Sequence, residues 1–243
     1  TSNIARLHQL YPDSRRAPLA EPSLAIYVEG VGTRDDAEDD LIGLAFGIGA
    51  SGVRAKVQRA LHELLPAALS ALTAHWQQPL HGVQVDLFGF SRGAAAARDL
   101  ANQLRGWDAN QWRLRLQGAG LPCAADFALP RPALRFVGLF DTVVAVSGRR
   151  ADEQPRIALP AGIAERVVQL SARDEHRQHY ALTTVAPTHE EIALPGVHAN
   201  IGGGYDQLEE GPKLLGRPRR QPLRRAPVDD YQTPTLAMLQ ATT

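Results

Sequence analysis

Apolar residues in this chain occur in short runs separated by stretches with helical spacing. Four runs have the length of a strand, at residues 24–28, 83–90, 134–140 and 166–170, and a weaker fifth lies at 192–194. Few polar residues interrupt these runs, which is typical of strands covered on both faces, as in a parallel sheet. The pattern therefore predicts a mostly parallel sheet.

Two of the intervening stretches have the periodicity of helices. Apolar residues between positions 53 and 72 recur every three or four positions and form one stripe; they are Val53, Val57, Leu61, Leu64, Leu65 and Leu69. Residues 92–104 are rich in alanine, which favours a helix. Because the predicted strands alternate with helices, we predict an α/β fold with helices on both faces of the sheet.

Length and composition limit the number of domains and the kinds of binding site. A chain of 243 residues is long enough for one large α/β domain, so we predict a single domain over residues 1–243. The 26 basic and 26 acidic residues balance, which leaves no overall field for binding nucleic acid. A single cysteine, Cys123, excludes an internal disulfide framework and a cysteine-based zinc cluster. The sequence contains neither a signal peptide nor the roughly 20 consecutive apolar residues of a membrane-spanning helix.

Three stretches have the composition of loops, at residues 11–22, 42–52 and 211–227. The last combines prolines with five arginines, which favours a solvated surface loop over its alternative, a contact with a phosphate or a partner. A fourth segment, 106–132, is longer than an ordinary connection and interleaves tryptophans and leucines with polar residues. We interpret it as an insertion over a sheet edge, either a lid or a packed structural element.

The second apolar run leads into the sequence Gly89-Phe90-Ser91-Arg92-Gly93, and the alanine-rich helix follows. G-x-S-x-G between a strand and a helix is the nucleophile elbow of α/β hydrolases. Glycines at 89 and 93 would avoid collisions where the chain turns sharply, and the turn would expose the hydroxyl of Ser91. The backbone N–H of Arg92, at the start of the helix, would face a developing oxyanion.

A serine hydroxyl needs a base and a carboxylate that orients the base, which follow it in this fold in the order Asp or Glu, then His. Asp141 directly follows the run 134–140, at the carboxyl end of a predicted strand, where open α/β sheets bind ligands. The alternative is that Asp141 caps the next turn. Asp126, in the insertion, and Asp174, in a charged run, are weaker candidates.

Four histidines follow Ser91. His176 and His179 lie in a polar segment that resembles a helix surface, and His189 lies beside two glutamates. His198 instead occupies a short loop after the fifth run, and glycines follow it that would let a substrate approach. We therefore predict His198 as the base, in a mechanism that needs no metal or cofactor.

Seven segments of the chain, in this order, carry a resemblance to a known family: TSNIARLHQL, IYVEGVGT, GIGASGVRAKVQRAL, LFGFSRGAAAAR, FVGLFDTV, VVQLSARDEHR and LPGVHANIGGGY. They extend from Thr1 to about Tyr205. The chain resembles the α/β-hydrolase catalytic domain of type VI secretion lipase effectors of the GxSxG class. In that family the serine of GFSRG, the aspartate of FDTV and the histidine of PGVH form the triad, which implies the same three roles for Ser91, Asp141 and His198.

The resemblance also implies a biological setting. It implies hydrolysis of phospholipid ester bonds, delivery into target cells by a type VI system, and action at the periplasmic side of membranes with peripheral membrane contact. A component of the secretion apparatus and an immunity protein are the implied partners. Family members open with a strand ending in Asp-Gly-Thr, whose loop is expected near the oxyanion hole, and this sequence starts just after the place where that strand should be. We therefore expect either that the strand precedes Thr1 or that the domain lacks a second oxyanion donor.

The residues by themselves lead only to a serine acyl hydrolase. A small-ester or other lipid esterase is one alternative to a phospholipase. A catalytically silent binding module that kept the α/β-hydrolase fold is the other.

Overall fold

A computed structural model describes residues 2–17, 19, 21–30, 52–77, 82–121, 132–144, 154–177 and 180–203. Within them the chain forms a sheet of four strands that pair in chain order, and every pair is parallel. The strands are β1 (Gln84–Phe90), β2 (Ala133–Phe140), β3 (Arg166–Ala172) and β4 (Glu190–Leu194). Four of the five strand predictions are thereby confirmed, as is the parallel α/β fold.

Six helices accompany the sheet in the described residues: α1 (Asn3–Leu10), α2 (Val53–Arg59), α3 (Leu65–Trp76), α4 (Arg92–Gly106), α5 (Ala109–Gly118) and α6 (His198–Gly202). A π-helical turn, Ala60–Leu64, joins α2 to α3 without interrupting the helical path. The predicted apolar stripe buries Val57 and Leu61 at 2% and 3% exposure. Both helices predicted from the sequence are therefore present.

The two faces of the sheet are covered by different helices. On one face Leu87 of β1 and Val137 of β2 belong to a core that includes the alanines of α4, and Ala94 and Ala101 are fully buried there. On the other face the ring of Phe88 lies 6.3 Å from that of Tyr11, the residue after α1. Helices on both faces explain why the strands read as nearly continuous apolar runs.

The prediction of a strand at residues 24–28 is wrong, because the described residues 21–30 contain no strand. The backbone of Ala25 is instead bound by side chains of the preceding loop. Its N–H donates to Asp13 Oδ2 at 3.3 Å, and its carbonyl accepts from Arg15 Nη2 at 2.7 Å. The backbone groups of Ala25, within the predicted strand, are thus satisfied by side chains and do not take part in a strand ladder.

The segment predicted as a lid or packed insertion, 106–132, is described as far as residue 121. Its helix α5 buries Trp112 and Leu116, which pack against Val83 at the amino end of β1. Ser91 lies eight positions after Val83 along an extended strand, a span of roughly 26 Å. The described part thus packs inward at the end of the sheet opposite Ser91, and a lid remains a prediction for the rest of the segment, 122–131, which lies outside the described residues.

Two further predictions fall wholly or mostly outside the described residues, the loops at 42–52 and 211–227. No helix in the described part of the chain is both long and apolar enough to cross a membrane.

Candidate active site

Ser91 occupies the turn between β1 and α4. Its φ and ψ are 57° and −124°, a conformation that non-glycine residues rarely adopt. The turn is held because the N–H of Ser91 donates to Phe140 O of β2 at 3.0 Å. A strained backbone of this kind is the conformation that the nucleophile elbow requires.

The two glycines that flank Ser91 differ in their surroundings. A Cβ at Gly89 would lie 2.3 Å from the carbonyl oxygen of Gly93, so only glycine lets the helix approach the strand. A Cβ at Gly93 would have no described atom within 4 Å. The expected steric role is therefore confirmed for Gly89, whereas at Gly93 no atom of the described residues would collide with a Cβ.

Asp141 follows β2 directly and is 2% exposed. Its φ of 43° turns the chain at the end of the strand, and its N–H donates to Leu170 O of β3 at 2.7 Å. One carboxylate oxygen, Oδ1, accepts from the N–H of Ala172 at 2.8 Å. The other faces His198, so neither oxygen serves the capping alternative.

His198 is the first residue of α6 and is 5% exposed. Its Nδ1 lies 2.6 Å from Asp141 Oδ2, and its Nε2 lies 2.8 Å from Ser91 Oγ. The imidazole ring also contacts the rings of Phe90 and Tyr180, at centroid distances of 4.5 and 4.8 Å. The three sequence-predicted side chains thus form one hydrogen-bonded row at the carboxyl ends of β1 and β2.

Arg92 is the first residue of α4, so its N–H belongs to the first turn, at the positive end of the helix. Burial lowers the pKa of the Arg92 guanidinium, and the nearby Tyr180 opposes that change. Both observations put Arg92 beside the row formed by Ser91, Asp141 and His198.

The weaker candidates lie elsewhere or have other contacts. His189 Nε2 lies 3.0 Å from Leu159 O, away from Ser91. Asp174 accepts the N–H of Gly196 at 2.7 Å. His179 and Asp126 lie outside the described residues, and His176 is an exposed residue of the segment after β3.

The segment around His176 corrects one interpretation and adds residues that the sequence did not suggest. The chain turns at Arg173 and Asp174 and continues to residue 177 without regular structure, so this segment does not form the helix surface that its polarity indicated; we refer to residues 173–177 as the turn after β3. Within the turn Glu175 accepts the backbone N–H of His198 at 3.2 Å. A run of charged residues is typical of an exposed helix face. The only signal in the sequence for another role is the pair Asp174-Glu175, which stands between basic residues.

A buried polar network supports the turn at Asp141 from beneath. The hydroxyl of Thr142 donates to Gln169 Oε1 at 2.5 Å, and the same oxygen accepts from Arg98 Nη2 at 2.7 Å. Arg98 is 2% exposed, and burial lowers its pKa to about 10, although the charge of Glu191 opposes this. The network joins α4 to β3 and to the residue that follows Asp141.

Neither a family model nor a curated protein matches this chain. Among solved structures, the chain is similar to the Tle1 effector bound to the VgrG spike from the type 6 secretion system, at 30% sequence identity and a TM-score of 0.55 over 70% of this chain. The chain spans 33% of that effector's length. An uncharacterized protein from Pseudomonas aeruginosa is 27% identical over 63% of this chain and 23% of its own length, with a TM-score of 0.34. The likeness to the effector supports the α/β-hydrolase-like fold.

Proposed function

We propose that this protein is a serine acyl hydrolase in which Ser91 is the nucleophile, His198 the general base and Asp141 the group that orients the base. The observation that carries the proposal is the continuous row of hydrogen bonds from Ser91 Oγ through both ring nitrogens of His198 to Asp141 Oδ2. Its three members lie far apart in sequence, and the two bonds join atoms in the order that this chemistry requires.

The first step is attack on an ester carbonyl. Ser91 Oγ forms a bond to the carbonyl carbon while its proton passes to His198 Nε2, and Asp141 accepts the Nδ1–H and stabilises the imidazolium that results. The negative charge moves to the carbonyl oxygen, where the backbone N–H of Arg92 is the proposed donor.

The second half of the reaction returns the enzyme to its starting state. Collapse of the tetrahedral intermediate breaks the ester C–O bond, and the leaving alkoxide takes the proton from His198 Nε2. Water then attacks the carbonyl carbon of the acyl group and gives a proton to the same nitrogen. The second tetrahedral intermediate collapses, the bond from this carbon to Ser91 Oγ breaks, and Oγ takes the proton from Nε2 as the carboxylic acid leaves. His198 therefore serves as base and acid in turn.

The proposed substrate class is the phospholipid ester, and the similarity to the Tle1 effector motivates it. That effector is described in complex with the VgrG spike, so a secretion spike is the proposed partner of this protein as well, together with an immunity protein. We propose secretion into target bacterial cells, with action on the periplasmic side of the membrane.

The nucleophile assignment is tested with purified wild-type protein and Ser91→Ala, using phospholipid vesicles and short p-nitrophenyl esters. We expect wild-type protein to release fatty acid from vesicles and Ser91→Ala to lose about 10⁴- to 10⁶-fold in kcat, because the triad acts as a unit. Ser171→Ala is the control, since Ser171 is a buried serine of the neighbouring strand β3.

The two substrates separate the alternatives. Turnover of p-nitrophenyl esters without turnover of vesicles would replace the phospholipase by a small-ester esterase. Absence of both activities, with no labelling of Ser91 by a fluorophosphonate, would indicate a catalytically silent binding module with the α/β-hydrolase fold. Retention of activity in Ser91→Ala would refute the nucleophile assignment.

A further inference from the structure

Behind His198 lies an ion pair of Glu175 and Arg177. The side chain of Glu175 is 6% exposed, and its carboxylate accepts the backbone N–H of His198 at 3.2 Å. Arg177 approaches both carboxylate oxygens, with Nε 2.9 Å from Oε1 and Nη2 2.7 Å from Oε2. A two-pronged pair of this geometry fixes the orientation of the carboxylate as well as its position.

Glu175 is held in its ionised form. Burial raises its pKa, but the hydrogen bonds from the side chain and backbone of Arg177 and from the N–H of His198 outweigh burial and hold the pKa at about 2. The carboxylate is therefore a full charge under any condition in which ester hydrolysis would be measured. A buried charge with several donors is rigid, because each donor would have to be replaced before it could move.

Arg177 contacts a second neighbour of His198. Its guanidinium lies 3.8 Å from the centroid of the Tyr180 ring, a cation–π contact. The Tyr180 ring in turn lies 4.8 Å from the His198 ring, tilted by 59°. Arg177 thus contacts both Glu175, which binds the backbone N–H of His198, and Tyr180, which packs on the His198 imidazole.

The base needs external support because its own helix is short. Helix α6 has five residues, and a helix of that length is not stable by itself. The loop before α6 is tied to the same turn, since Asp174 accepts the N–H of Gly196 at 2.7 Å and returns its own N–H to Gly196 O at 3.1 Å. In the described residues, the turn after β3 is thus joined to the segment that carries His198 by three hydrogen bonds, and Asn3 Nδ2 of α1 also holds this segment by donating to Ile201 O at 3.0 Å.

We infer that Glu175, Arg177 and Tyr180 are positioning residues for His198: Arg177 orients Glu175 against the backbone N–H and Tyr180 against the ring, so that Nε2 stays within reach of Ser91. The inference rests on the proposed role of His198 as the base. None of the three residues takes part in proton transfer itself.

The test compares Arg177→Ala and Glu175→Gln with a matched control, Arg166→Ala. Arg166 also forms an ion pair, with Glu190 at 2.8 Å, but the pair is exposed and does not contact His198. Two quantities are measured on each purified protein: kcat and KM for a short p-nitrophenyl ester, and the low-field proton resonance of the His198 Nδ1–H bonded to Asp141. The second readout needs no turnover.

We expect kcat to fall about ten- to a hundredfold in both variants with KM changed less than threefold, because a displacement of about 1 Å at a reacting group costs on that order. The low-field resonance should broaden or disappear in both variants, while the backbone amide resonances far from the turn after β3 and from α6 stay as in wild type, and the control keeps all of its resonances away from Arg166. Arg177→Lys should lie between wild type and Arg177→Ala, since lysine keeps the charge but not the two-pronged contact.

The inference is wrong if Arg177→Ala and Glu175→Gln keep both kcat and the resonance at the level of Arg166→Ala. If Arg177→Ala does not fold, Glu175→Gln decides, since glutamine keeps the size of the side chain. If wild-type protein hydrolyses no ester, the proposed function fails, and the resonance comparison still decides whether the pair holds the ring of His198.

Discussion

The two ends of strand β1 have opposite character. At the carboxyl end, Ser91 and Asp141 have positive φ values, and Asp141 and His198 are buried polar groups. At the amino end, Val83 packs in an apolar cluster with Trp112 and Leu116, and none of these three residues has a positive φ. One strand therefore joins a polar region with strained backbone to an apolar cluster without it.

The difference shows how the unfavourable free energy of the site is offset by apolar burial elsewhere. A residue in a sparsely populated backbone conformation costs about 1–3 kcal/mol, and a buried polar group adds more if it lacks a partner. A buried large apolar side chain contributes about 1.5–3 kcal/mol in the other direction. If the apolar end supplies the stability that the polar end lacks, substitutions at the polar end should change catalysis and substitutions at the apolar end should change stability. We refer to this as the division between the two ends.

The largest effect is expected for Asp141→Asn, at the polar end. The carbonyl oxygen of asparagine would keep the N–H of Ala172, so its NH₂ group would face His198 Nδ1 and favour the wrong tautomer. We expect kcat for p-nitrophenyl esters to fall about 10³- to 10⁴-fold while the protein stays folded. Asp108→Asn, the same change at the N-cap of α5, is the control, and activity of Asp141→Asn within tenfold of wild type would contradict the division.

Gly89→Ala is expected to have the next largest effect, and it is an exception to the division, because Gly89 lies at the polar end but its substitution should lower stability. A methyl group would lie 2.3 Å from the carbonyl oxygen of Gly93, and backbone cannot yield as a side chain does. We expect the free energy of unfolding, measured by urea titration, to fall by about 3 kcal/mol or more.

Gly93→Ala is the matched substitution for Gly89→Ala. The described residues leave its methyl group room, and alanine favours a helix by up to about 1 kcal/mol over glycine. Equal destabilisation by the two substitutions would show that the close approach at Gly89 does not set the geometry of the elbow.

Leu116→Ala tests the apolar end. Leu116 is 1% exposed in the cluster with Val83, so its truncation should lower the free energy of unfolding by about 2–4 kcal/mol. The kcat of the folded protein should not change. Leu114→Ala, on the same helix at 67% exposure, is the control and should change stability by less than about 0.5 kcal/mol. A fall in kcat for Leu116→Ala would mean that the two ends are coupled.

The smallest effect concerns pH. The pKa of Glu175 is held at about 2, below that of an unfolded glutamate, so its stabilisation is present above about pH 5 and is lost as the pH falls towards 2. Wild type should exceed Glu175→Gln by about 1–3 kcal/mol in unfolding free energy at pH 6, and the difference should shrink towards pH 3. Arg177→Ala should show the same convergence, and a constant difference over this range would contradict the assignment.

Much of the fold could be predicted because the signals are local. The apolar run before Ser91, the glycine at 89 and the alanines after it lie within some twenty residues and specify a strand, a turn and a helix in order. The run at 24–28 had a similar local signal, yet Asp13 and Arg15 bind the backbone of Ala25 and no strand forms. The apolar pattern does not show whether a side chain elsewhere binds the backbone of the run, so the failure of this strand prediction could not be foreseen.

The polar turn after β3 is the clearest case of what the pattern could not reveal. Residues 173–177 have the charge distribution of an exposed helix, and the structure makes of them a turn with a buried glutamate. The contact of Glu175 with the N–H of His198, which lies 23 positions along the chain, has no counterpart in the local sequence pattern.

The sequence by itself determined the residue types, the order Ser91, Asp141, His198, and the placement of each at the end of a predicted strand or in a loop. Only the tertiary structure decided that the hydroxyl and the imidazole, 107 positions apart, lie 2.8 Å from each other. The physical reason is that local preferences act over a few residues. Distances between chain segments depend instead on which strands pair, and parallel pairing in the order β1, β2, β3 brings the carboxyl ends to one edge.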